Sequence, residues 1–102
     1  VRREGEFLGP IDPTYDCGQY NTFPNDPEYR NKRFQLIFEV EKLFYEGKEV
    51  WIWYDPIIRG KVLNVGMYDG WPFWKPTPAV LLEHWYGSEV HFWDDIHSYD
   101  VK

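Results

Sequence analysis

The hydrophobic pattern changes period once, near residue 48, and divides the chain in two. Upstream, apolar positions recur at Phe34, Ile37, Phe38 and Phe44/Tyr45, with Leu36, Val40 and Leu43 beside them. That is the spacing of an amphipathic helix. The ends agree with it. Asp26 can cap free amide groups, Pro27 suits the first helical position, and Glu28 complements the helix dipole. Gly47 stands where a left-handed terminal residue belongs. Glu28 and Lys32 form a favourable i,i+4 pair. The pattern predicts a helix over residues 27–46. A strand competes over 33–41, because Phe34, Leu36, Phe38 and Val40 also alternate with Gln35, Ile37, Glu39 and Glu41.

Downstream the period falls to that of β-structure. Val50-Trp51-Ile52-Trp53-Tyr54 is β-branched and aromatic, and Asp55-Pro56 ends it. Lys61–Val65 reads as the next strand, with Gly66 as a bulge or bend. Asp69-Gly70 marks a turn. Ala79–Tyr86 and Glu89–Trp93 then read as a hairpin closed by Gly87-Ser88 in a type II′ turn. In that register Tyr86 faces Glu89, Trp85 faces Val90 and His84 faces His91. Ile96, Tyr99 and Val101 are left to close over one end.

Two stretches belong to neither pattern. Residues 1–26 carry Gly9-Pro10, Asp12-Pro13 and Pro24-Asn25, too many breaks for a regular element. Yet Phe7, Tyr15, Tyr20 and Phe23 are interspersed, and a disordered tail is poorer in aromatics. An extended arm lying on a surface is expected. The second stretch, Trp71-Pro72-Phe73-Trp74-Lys75-Pro76-Thr77-Pro78, is a proline-aromatic loop that strand-building does not explain.

Composition narrows the classes. At 102 residues the chain suits one small domain. Net charge is −6, and no segment is basic. Phosphate binding needs clustered Lys and Arg, so nucleic acid and anionic membranes are poor partners. No apolar run approaches a bilayer span. Cys17 stands alone, which excludes an internal disulfide and points to a cytoplasmic, nuclear or organelle interior. The first residue is Val1 and no apolar leader follows it, so a trimmed chain is expected, a removed leader being one source. All six tryptophans lie between residues 50 and 93. Those in strands are expected mostly to pack.

The layout of residues 48–101 resembles a small SH3-like or Tudor-like barrel. The resemblance rests on Gly60-Lys61-Val62-Leu63-Asn64-Val65 after a polar-Pro turn. A variable loop follows, then the Leu-Glu-x-x-x-Gly-Ser-x-Val hairpin and a closing turn near Asp94-Asp95-Ile96. It implies a binding module or accessory subunit more than an enzyme. Its sharper implication is an aromatic cage for a methylated basic peptide, drawn from Trp53, Tyr54, Trp74 and Tyr86 with Asp55 or Asp69 at the rim.

The chemistry-bearing residues are sparse. Two imidazoles, His84 and His91, with Glu89 near them, suit zinc, but the spacing matches no strong metal signature. They stand as weak candidates, and no cofactor is assigned. Asp94 and Asp95 with Glu83 could pose as an acid–base pair, yet adjacent strand residues point to opposite faces. Cys17 has no histidine near it in sequence.

The expectation is therefore an α+β domain: an extended arm (1–26), one helix (27–46) and an SH3-like antiparallel barrel of about five strands (48–101). The expected role is a non-enzymatic protein-interaction module or accessory subunit. It would dock on a protein or basic peptide through Trp71, Phe73, Trp74 and Pro76, with Trp53, Tyr54 and Tyr86 contributing. A small hydrolase and a carbohydrate-binding domain are the remaining alternatives.

Overall fold

The structure is a computed structural model and describes residues 5–14, 27–55, 58–70 and 76–102. Among the described residues the architecture is α+β, one helix on one antiparallel sheet. Helix α1 spans Pro27–Tyr45. The strands are β1 (Glu6–Gly9), β2 (Val50–Asp55), β3 (Ile58–Asp69), β4 (Thr77–His84), β5 (Gly87–Phe92) and β6 (Ser98–Val101). A 3-10 turn, Trp93–Asp95, lies between β5 and β6.

The competition over 33–41 is settled for helix. Phe34, Ile37 and Val40 are buried on one face, and Gln35 and Glu39 are exposed. The C-terminus forms because Gly47 takes φ +87°, where a side chain would be strained. Lys48 N then donates to Leu43 O at 3.1 Å and Gly47 N to Phe44 O at 3.0 Å. These two bonds satisfy carbonyls the helix leaves open.

Strand β3 is the hub. It is 12 residues long, where five were expected. Its first part pairs with β2 (Trp51 opposite Lys61) and its last part with β1 (Phe7 opposite Tyr68). Strand β4 takes the other edge from Lys61 to Tyr68. The sheet order is β5-β4-β3-β2-β6, with β1 beside β3. The sheet has six strands, where about five were expected.

Three expectations are corrected here. Part of the arm is a strand, β1, whose pairing depends on an edge 60 residues away that no local pattern announces. Gly66 makes room for it: a Cβ there would run into the Gly9 carbonyl. The tail after the 3-10 turn is also a strand, β6, held beside β2 with Ile52 opposite Tyr99. Finally, the β4–β5 turn is Trp85-Tyr86, and Gly87-Ser88 open the return strand. His84 pairs with Gly87 and Val80 with His91. Gly87 spends its φ of +135° at the exit of the turn rather than at its centre. An even shift of register leaves each side chain on its original face. The apolar pattern therefore permits both registers, and pairing along the whole of β4 chooses between them.

The core is mostly aliphatic. Val50, Ile52, Val62, Val65, Val80 and Leu82 from the sheet meet Phe34, Ile37 and Val40 from α1. Ile11, Trp93 and Ile96 close its margins. Trp93 packs edge-on against Phe34, with ring centroids 5.6 Å apart. Of the described tryptophans only Trp93 is buried; Trp51 and Trp53 are half-buried and packed outside the core, and Trp85 is exposed.

Candidate functional site

Strand β2 separates its aromatics by simple alternation. Ile52 points into the core, and Tyr54 continues along that inner face. Trp51 and Trp53 occupy the outer face, where Arg59 lies over both rings, 4.5 and 5.6 Å from their centroids. Lys102 Nζ approaches the Trp51 ring at 4.8 Å. Both indole N–H groups are used. Trp51 Nε1 donates to Glu49 Oε2 at 2.9 Å and Trp53 Nε1 to Asp100 Oδ2 at 3.0 Å. The outer pair is thus covered by the chain's own cations and carboxylates.

The inner face ends differently. Beyond Leu82, strand β4 carries His84, and β5 carries Glu89 and His91 on the same side. These three offer ligand atoms that all lie within 4.8 Å of one another. His91 Nε2 is 3.4 Å from Glu89 Oε2. Both Nε2 atoms are buried, and that of His84 has no hydrogen-bond partner.

Rings hold the imidazoles in place. Tyr54 stacks on His91 at 4.0 Å and meets His84 edge-on at 5.1 Å. Tyr86 stacks on His84 at 5.1 Å. Gly60, across from His84, leaves the space the imidazole occupies. A Cβ there would lie 2.7 Å from His84 Cε1 and 2.9 Å from Leu82 Cβ. Burial holds the His91 pKa below its ordinary value. Glu89 opposes that shift, His84 adds to it, and Asp95 opposes it. The imidazole is therefore biased toward its neutral, metal-ligating form.

At the tip of the same hairpin, Trp85 is 95% exposed and Tyr86 51%. Their rings meet edge-on at 5.3 Å. An indole held almost wholly in water is unusual for a residue with so large an apolar surface.

The structure brings together Tyr54, Tyr86, His84 and His91 among the residues singled out from sequence. Trp53 lies on the opposite face from them, and Asp69 pairs with Glu6 at the far end of β3. Pro76 is described and exposed. Trp71, Phe73, Trp74 and Cys17 lie outside the described residues, as do the side chains of Asp55 and Asp94. Sequence reasoning missed Trp85, although a Trp beside the turn glycine was a visible signal. It also missed an open cleft of 420 Å³ lined by Lys32, Arg33, Leu36 and His97. In that cleft Arg33 Nη2 and His97 Nδ1 are 3.2 Å apart. Among the described residues no helix is long and apolar enough to cross a membrane. No family model, curated protein or solved structure matches the chain.

Proposed function

We propose that this chain is a non-enzymatic protein-interaction module, an accessory subunit of a larger assembly, built on an SH3-like small barrel. It docks through aromatic surface at the β4–β5 tip, joined by the proline-aromatic loop and the arm. The observation that carries this reading is Trp85, 95% exposed on a short turn with Tyr86 beside it. Trp and Tyr are the residues that dominate interface energetics when they enter a pocket. Glu83 and Glu89 flank the tip, and the chain carries a net charge of −6. The partner that fits is a protein with an apolar pocket rimmed by Lys and Arg. For the barrel, the support is a long β3 shared between β2 and β1 on one edge.

The aromatic-cage alternative has less support. Tyr54 and His91 stack at 4.0 Å, which leaves no gap for an ammonium group between them. Trp53 is engaged elsewhere, under Arg59.

The test is quantitative co-purification from the native source with wild type and Trp85→Ala, followed by titration of the recovered partner. The variant is expected to keep its circular dichroism and Tm. Its affinity should fall by about 30-fold or more, the scale of a buried Trp anchor. Unchanged affinity in the folded variant sinks the role of the tip.

A further inference from the structure

We propose that His84, Glu89 and His91 form a binding site for a zinc-class divalent cation, clamping the two strands of the β4–β5 hairpin. Ligands of a tetrahedral zinc, each about 2.0–2.1 Å from the ion, stand about 3.4 Å apart. Glu89 Oε2 and His91 Nε2 already have that spacing, 3.4 Å. The whole ligand set fits within 4.8 Å, so side-chain rotation of an ångström or so completes it.

The donors are little used by the rest of the fold. His84 Nε2 is buried and lacks a hydrogen-bond partner, and buried His91 Nε2 has only the Glu89 carboxylate, itself one of the proposed ligands. Buried ring nitrogens left in that state carry a desolvation cost that a metal removes. Two nitrogens and one carboxylate oxygen match the zinc class. They do not match calcium or magnesium, which take six or more oxygen ligands or keep their waters. Asp95 adds a second negative charge acting on His91.

The surroundings are those of a built site. Tyr54 and Tyr86 stack on the two imidazoles, and Gly60 gives His84 its space. Three protein ligands leave a fourth position for water or for a group from a partner. The ion ties the end of β4 to β5 immediately below Trp85. It would stiffen the tip without being part of the docking contact. The site stands or falls independently of the docking role, because its readout is metal uptake by the isolated chain.

The experiment strips the full chain with a chelator and titrates it with Zn²⁺ by calorimetry and with Co²⁺ by visible absorption. One Zn²⁺ per chain is expected, with the intense d–d bands of four-coordinate Co²⁺ and a higher Tm in the presence of zinc. Glu89→Gln is the decisive variant, since its side chain is 47% exposed and the substitution keeps its size. It and His91→Gln should each weaken zinc binding at least about tenfold. His97→Ala, in the Arg33 cleft, should leave it unchanged. No uptake by wild type at about 100 µM zinc overturns the proposal, as does equal affinity in wild type and folded Glu89→Gln.

Discussion

Two aromatic regions sit on opposite faces of the same sheet, and they have opposite states of satisfaction. On the outer face Trp51 and Trp53 are covered by Arg59 and Lys102, and their N–H groups reach Glu49 and Asp100. At the open end of the inner face, His84 keeps a buried nitrogen without a partner, His91 has only Glu89, and Trp85 stands in water. Aromatic richness is the same in both. What differs is whether the chain supplies its own partners. The outer pair is structural by this measure, and the hairpin end has surface and donors left over for something else.

The largest expected effect that tests this contrast is Gly60→Ala. The new Cβ meets His84 and Leu82 Cβ, and the latter is fixed by its backbone. The cost is about 1–3 kcal/mol of overpacking, a fall in Tm of roughly 5–20 °C. Zinc affinity should fall with it, because His84 must move. Thermal unfolding and calorimetry on one preparation read both. A Gly60→Ala protein with wild-type zinc affinity would break the link between Gly60 and the histidine site.

Arg59→Ala probes the outer face. It removes the cation from two rings and a 4.0 Å ion pair with Asp100, both partly exposed. About 1 kcal/mol is expected. Acrylamide should quench tryptophan fluorescence more strongly, and zinc affinity should not change. If Arg59→Ala lost zinc binding, the two faces would not be independent.

The smallest effect is the acid dependence of the outer face. The hydrogen bond from Trp51 holds the Glu49 carboxyl below the usual glutamate range. Desolvation acts against it, and Lys61 and Lys102 add to it. A lowered folded pKa gives stability that is present above the unfolded value and lost as pH falls through the folded one. Wild type should therefore lose slightly more stability than Glu49→Gln between about pH 5 and pH 3. Equal losses, measured by urea unfolding, would remove Glu49 from the cover of Trp51.

Which parts were readable in advance follows from the range of the forces. Helix α1 was, within one residue at its end, because periodicity and the Gly47 terminus act over a few positions. The opposed faces of Trp51/Trp53 and Ile52/Tyr54 were too, since alternation is a property of the strand itself. The pairing of β1 with β3 was not, because four residues on an edge owe their structure to a distant partner. The hairpin turn was misplaced for a related reason. Gly87 fits the turn centre and the turn exit equally well by local chemistry.

For the candidate site, His84 and His91 were readable as residues of one face, and Glu89 as their neighbour. Their approach was expected as well, but as direct cross-strand partners. In the observed register His84 is opposite Gly87 and His91 opposite Val80, so the imidazoles are not cross-strand partners. They meet at 5.6 Å because Tyr54 packs against both from β2. Gly60 opens the room that His84 needs.

By itself the sequence determined the helix, the strand-rich half, which face each strand residue takes, and the acidic surface. These follow from short-range sterics and the alternation of side chains. Only the tertiary structure decided that Trp51 and Trp53 lie under Arg59, and that Trp85 is left bare at the tip. It also decided the register by which two histidines and Glu89 converge, with Tyr54 from β2 packed against both imidazoles, because sheet pairing connects groups that local pattern leaves open.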